Sequence, residues 1–147
     1  MIPRWVEKYQ QIPFVNKGRN FKGADCLGLI ALVLQAEMRI TIPDYGFIDA
    51  GDGQRIARAI AAAKLADRDW RPFSLRDARA FDVVPMTSAN GDGSADHLGI
   101  MVSPHHVLHT EIGSGPHVED IDSYGIKYRL EPRGAPTVYR FRELWTS

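Results

Sequence analysis

Three side chains in this sequence have the chemistry and the order of a nucleophilic site: Cys26, His97 and His109. Cys26 is the only cysteine, set in Gly23-Ala24-Asp25-Cys26-Leu27-Gly28-Leu29-Ile30, where an apolar helix is expected to begin. The reactive form of cysteine is the thiolate. A helix N-terminus lowers a thiol pKa through its aligned peptide dipoles, and a nearby imidazolium lowers it further. His97 and His109 fall on what reads as a β-hairpin. With its turn centred on Ser103, His97 faces His109, and directly opposed side chains share one face of a sheet. Gly99 lies on that face too and would leave room for the Cys26 helix to dock, while Leu98, Ile100 and Val102 face the other way. The expected arrangement is Cys26 as nucleophile, His97 as base and His109 as the group that orients the imidazole. Main-chain amides at the helix start, that of Cys26 included, would serve as the oxyanion hole. Gly28, in the first helical turn, costs about 1 kcal/mol against alanine. Such a glycine makes sense where another backbone or a substrate comes close.

Blander readings compete with each of these. A single cysteine is more often a small buried core residue than a nucleophile. The two histidines could be ordinary sheet residues. Cys26, His97 and His109 together would also suit a catalytic zinc, although their spacing has no metal-motif character. Asp25 is a natural N-cap, with a side-chain oxygen for the orphan amides. His105 and His106 read as a solvated hairpin tip, and His117 as the surface start of a strand.

The elements that would hold these residues can be read in order. Pro3 to Tyr9 suits a short helix with proline in its first turn. Gln11 to Lys22, with Pro13, Gly18 and Asn20, reads as loop. Leu29, Ile30, Val33, Leu34 and Met38 recur at helical spacing and predict a helix over Asp25 to Met38. A second helix is expected over Gln54 to Leu65, and a connector over Ala66 to Asp77. The period then changes. Phe81 to Met86, His97 to Val102, Val107 to Thr110, His117 to Ile121, Ile126 to Leu130 and Thr137 to Phe141 are the expected strands, with a polar loop over Thr87 to Asp96. Helices first and a meander of strands after them give an α+β fold rather than a parallel α/β sheet.

Length and composition set the bounds. The 147 residues fit one domain, 1–147, large enough to bury a real core. Lys+Arg and Asp+Glu both number 18, so the formal net charge is zero, which argues against a nucleic-acid binder steered by bulk charge. No apolar run approaches the ~18 residues of a membrane span. Met1-Ile2-Pro3-Arg4-Trp5 lacks the continuous apolar segment of a signal peptide, so none is expected.

In their order along the chain these motifs resemble the NlpC/P-sixty cysteine peptidases. Asp25-Cys26-Leu27-Gly28-Leu29 is similar to that family's D-C-x-G-L motif, and His97-Leu98-Gly99-Ile100 to its H-V-G-I strand. His109-Thr110 falls where the third catalytic polar residue is placed. Phe81-Asp82-Val83-Val84 is similar to the G-D-L-V strand, Ile12-Pro13-Phe14 to the G-x-P-Y segment before the cysteine, and Val138-Tyr139-Arg140-Phe141 to a common closing strand. Two positions depart from the pattern: Phe14 stands where the family often has tyrosine, and Phe81 where it has glycine.

The resemblance implies a papain-like α+β fold, with N-terminal helices and the nucleophile helix packed on a C-terminal antiparallel sheet. It implies hydrolysis of peptidoglycan stem peptides, commonly between D-Glu and a diamino acid, with Cys26, His97 and His109 catalytic. Asp25, Phe14 and Gly28 would contribute to substrate or oxyanion contacts, and no metal or cofactor is expected. The G-x-D-C-L-G-L context resembles the branch carried by phage and gene-transfer-particle tails. The expected partners are therefore a stem peptide and tail-tip proteins, with no nucleic acid and no membrane insertion. The expected route is synthesis in the cytoplasm, then incorporation into a tail that delivers the protein to the cell wall or periplasm. Two alternatives stand beside this: an amidase or acyltransferase using the same triad, and a structural tail-tip subunit with a vestigial site.

Overall fold

The computed structural model describes residues 1–42, 69–87, 97–130 and 136–145. The helix expected over Gln54 to Leu65 and most of the loop over Thr87 to Asp96 lie outside the described residues.

The chain opens with a 3-10 turn, Arg4–Val6, that runs into a short helix α1, Glu7–Gln10. Two minimal strands follow, β1 (Arg19–Asn20) and β2 (Gly23–Ala24), paired antiparallel. They hand the chain to α2, Cys26–Met38. Asp25 caps α2 as its sequence predicts: the backbone there is extended, and the carboxylate accepts from the Gly28 amide. Arg39 closes the helix in the left-handed conformation, its amide turned back to Gln35 and Leu34.

The second half forms a six-stranded antiparallel sheet in the order β3-β8-β4-β5-β6-β7. Its strands are β3 (Trp70–Ser74), β4 (Val83–Met86), β5 (His97–Ser103), β6 (His106–Glu111), β7 (Gly115–Asp120) and β8 (Thr137–Phe141). A helix α3, Tyr124–Leu130, connects β7 towards β8. Three expectations are corrected here, the first being that the loop over Gln11 to Lys22 contains the short strand β1. The connector over Ala66 to Asp77 contains the edge strand β3, and the strand expected over Ile126 to Leu130 is part of α3.

Strand alternation gives each face of the sheet its own core. On one face Leu29, Ile30, Val33 and Leu34 of α2 pack with Val83, Leu98, Ile100, Leu108, Tyr139 and Phe141. On the other, Ile126 and Leu130 of α3 pack with Val84, Met86, Met101, Val107 and Val138. Each fully buried aliphatic side chain contributes roughly 1.5–3 kcal/mol. Asp82 and Arg140, both nearly inaccessible, join β4 to β8 by paired hydrogen bonds of 2.8 Å. Phe81 takes a left-handed φ of 76°, a conformation that favours glycine. Its ring stacks on Trp5 at 5.4 Å, a contact that glycine would forgo.

Gly28 is where α2 meets the preceding loop. A Cβ there would stand far inside contact distance of the Gly18 carbonyl oxygen, so the close neighbour is backbone. Gly28→Ala gains about 1 kcal/mol of helix propensity. It must also push back the loop that Asp25 holds, at an overpacking cost of about 1–3 kcal/mol or more. The expected result is a melting temperature lowered by roughly 3–8 °C, read by calorimetry. A raised melting temperature would show that the loop yields freely.

Candidate active site

The β5–β6 register differs from the one expected. Ile100 pairs with Leu108 and Met101 with Val107, and a bulge precedes the Ser103–His106 pair. The turn is therefore Pro104-His105, centred later than Ser103. Ser103 Oγ accepts from the His105 amide at 3.1 Å and bonds His106 Nδ1 at 2.7 Å. This register slips the strands by two positions, which brings His109 opposite Gly99 instead of His97. An even slip keeps side-chain parity, so the two imidazoles still share a face and meet diagonally. His97 Nε2 and His109 Nδ1 are 2.9 Å apart.

Gly99 does not make room for α2. A Cβ there would meet Val107 Cγ2 at 2.5 Å and Met86 Sδ at 3.1 Å, both in the α3-side core. α2 docks instead on Leu98, Ile100 and Leu108. The histidine pair continues into His117, read above as the surface start of a strand, and into Glu119 and Glu111, which the sequence reading passed over. His109 Nε2 lies 2.6 Å from Glu119 Oε2, and the ring of His117 sits 4.2 Å from that of His109, centre to centre. Glu111 Oε1 is 3.6 Å from His97 Nε2 and is also bound by Arg129 of α3. A signal for this cluster was present in the sequence: His109-Thr110-Glu111 and His117-Val118-Glu119 repeat an H-x-E pattern on either side of a glycine turn. Alternation then puts all four side chains on one face.

Cys26 is the first residue of α2 and is buried. Main-chain amides of Leu98 and Leu27 donate to its sulfur. The thiol thus touches the main chain beside His97, while the imidazole shares the α3-side face of β5 with Gly99 and Met101; no hydrogen bond joins the two side chains among the described residues. Burial pushes the Cys26 thiol up to about 12, with the Asp25 carboxylate acting in the same direction. Burial likewise holds His97 well below the usual histidine range, helped by the nearby His109. His109 is held down to about 4 by burial, against the opposing pull of Glu119. The thiol lowered by the helix dipole and an imidazolium, expected from the sequence, is not what this environment gives: desolvation and the Asp25 carboxylate outweigh the lowering by the Leu98 and Leu27 amides and by Arg19.

The remaining candidates are fixed differently. Asp25 is 1% exposed, and its oxygens serve the Gly28 amide at 2.8 Å, the Lys17 amide at 3.0 Å and the Arg19 guanidinium at 2.6 Å. It is a cap that pins the loop, with no face left for substrate. The Gly28 amide is spent on that cap, so it is not an oxyanion donor. Phe14 is half-buried, and its backbone bridges to Ala24, two residues before the cysteine.

No family model matches the sequence, and no curated protein matches it. Solved structures do match. A Staphylococcus aureus protein described as similar to a lipoprotein of the NlpC/P-sixty family superposes with a TM-score of 0.54 at 22% identity, over 84% of this chain. The NlpC/P-sixty domain of the peptidoglycan hydrolase SagA gives 0.54 at 18% identity, over 81% of this chain and 86% of its own. The fold is the papain-like α+β fold of NlpC/P-sixty proteins. The chain spans 36% of the length of the staphylococcal protein. In this chain α2 begins at Cys26, β5 begins at His97, and β6 carries His109.

Proposed function

We propose that the protein is a cell-wall hydrolase, a cysteine endopeptidase that cuts stem-peptide amide bonds of peptidoglycan. The observations that carry this are the His97–His109 contact of 2.9 Å and a helix-initial cysteine whose sulfur accepts from the amide of Leu98, the residue after His97. His97 spends Nε2 on His109, which leaves Nδ1 to receive the thiol proton. Cys26 attacks the amide carbonyl as that proton moves to His97. His97 then protonates the leaving amine, and water hydrolyses the acyl-enzyme. His109, itself tied to Glu119, fixes the His97 ring and tautomer. Thiol and imidazole both rest uncharged, so His97 acts as a general base during attack. The mechanism requires the His97 imidazole, which lies on the α3-side face at the start of β5, to be brought round to Sγ when substrate binds.

The bond proposed is that between D-Glu and a diamino acid, and the proposed delivery route is a phage-like tail. Both are supported by the motif resemblance around Cys26 and His97. The SagA domain, described as part of a peptidoglycan hydrolase, supports the substrate class. The test is mass spectrometry of purified peptidoglycan fragments incubated with the protein and with Cys26→Ala. Cleavage within the stem peptide by wild type alone is the expected result, and the fragment masses name the bond. Intact fragments in both incubations would favour a structural subunit that keeps the fold without the chemistry.

A further inference from the structure

The histidine pair leads outward to a second arrangement of ligand atoms. His109, His117 and Glu119 each offer one such atom, all within 4.8 Å of one another. We propose that these three residues form a binding site for a divalent transition-metal cation of the zinc class. Two neutral imidazoles and a carboxylate are a ligand set that zinc takes up readily, with a fourth position left for water.

Two of the three ligand edges are close to what such an ion needs, and the third lies within 4.8 Å. Metal–ligand bonds of about 2.0–2.1 Å at tetrahedral angles put ligand atoms about 3.3 Å apart. Glu119 Oε2 lies 2.6 Å from His109 Nε2 and 3.6 Å from His117 Nε2, so displacements of under an ångström bring both edges to that length. Outer partners already fix the rings. His117 Nδ1 donates to the Gly115 carbonyl at 3.0 Å, which leaves the Nε2 lone pair facing the site. His109 Nδ1 has His97 as its partner. The side chains of His117 and Glu119 are 35% and 34% exposed, which gives the ion a way in from solvent. The alternative set of His97, His109 and Glu111 is poorer. Glu111 is held by Arg129, whose charge a cation would have to displace, and His97 is almost fully buried.

A cation here reaches the site proposed above, and this consequence alone rests on the peptidase reading. With Nε2 of His109 on the metal, its remaining proton sits on Nδ1 and donates to His97 Nε2. His97 then carries its own proton on Nδ1, the nitrogen that has to accept from Cys26. The proton displaced from His109 Nε2 is matched by one taken up at His97 Nδ1, so the exchange is neutral overall. The loaded site holds the base in the wrong tautomer.

The experiment titrates zinc sulfate into metal-free Cys26→Ala protein against a chelating dye. The variant excludes thiol binding and makes the result independent of peptidase activity. One zinc per chain is expected, with affinity reduced at least about tenfold in Cys26→Ala/His117→Asn. Cys26→Ala/Glu119→Gln, which preserves side-chain shape, repeats the comparison if the first variant fails to fold by circular dichroism. No binding at 100-fold excess zinc over protein, or binding equal in the folded variants, overturns the proposal. Absence of peptidoglycan cleavage in the wild type would remove the peptidase reading and leave this binding result standing.

Discussion

Replacing Cys26 by alanine is expected to lower turnover on stem peptides by at least ~10⁴-fold, because no other group in the site can form the acyl intermediate. The same change should leave the fold almost untouched. The sulfur is one buried atom, and its loss costs on the order of 1 kcal/mol. Nothing that starts α2 depends on it. The cap is made by Asp25 to the Gly28 amide, and the loop before it is pinned to the same carboxylate by Lys17 and Arg19. Circular dichroism and a melting curve read the fold, and fragment mass spectrometry reads the chemistry. Residual cleavage within tenfold of wild type would remove Cys26 from the mechanism. A collapsed melting temperature would mean that the thiol is a packing residue first.

How far the sequence disclosed this site depends on what each signal measures. Helical periodicity found α2 because Leu29, Ile30, Val33 and Leu34 bury one continuous side, and Asp25 announced its start. Local spacing could not find the β5–β6 register. A two-residue turn at Pro104-His105 and a bulge before Ser103 depend on side-chain bonds between Ser103 and His106 that composition does not reveal. The common face of His97 and His109 survived because the error was an even number of residues. Gly99 was read correctly as a close approach but assigned to the wrong neighbour, since periodicity does not say which face receives α2.

Residues 124–130 misled for a related reason. Tyr124, Ile126, Tyr128 and Leu130 alternate like a strand, yet Ile126 and Leu130 also stand four apart, the spacing of one helical face. Strand β3 was hidden by Pro72 and by having little buried apart from Trp70, both tolerable at a sheet edge. Glu119 was passed over, and His117 was read as the surface start of a strand, because a polar residue on a strand normally means solvent. Their role emerges only when β7 is laid beside β6, with His117 opposite His109.

The largest disagreement between sequence and structure concerns the thiol, and it has a direct kinetic consequence. Iodoacetamide is expected to alkylate native Cys26 roughly 10³-fold more slowly at pH 7 than it alkylates a free cysteine. Only the thiolate reacts, and burial pushes this thiol up to about 12, so its thiolate fraction at neutral pH is smaller by about that factor. The sign fixes the shape of the profile. A raised pKa keeps the sulfur protonated across the neutral range, so the rate should climb about tenfold per pH unit from pH 7 to beyond pH 10 without levelling. An imidazolium-paired thiolate behaves in the opposite way, with a plateau that begins below neutrality. That pairing needs a protonated His97, and burial beside His109 keeps His97 neutral. Alkylation rates between pH 6 and 10, followed by intact mass, separate the two. A plateau between pH 6 and 8 would mean that the dyad rests as an ion pair, and Cys26 would then be a stronger nucleophile than its burial implies. A steady climb would place the activating step in substrate binding, where displaced loops and a repositioned His97 have to supply the proton acceptor at the moment of attack.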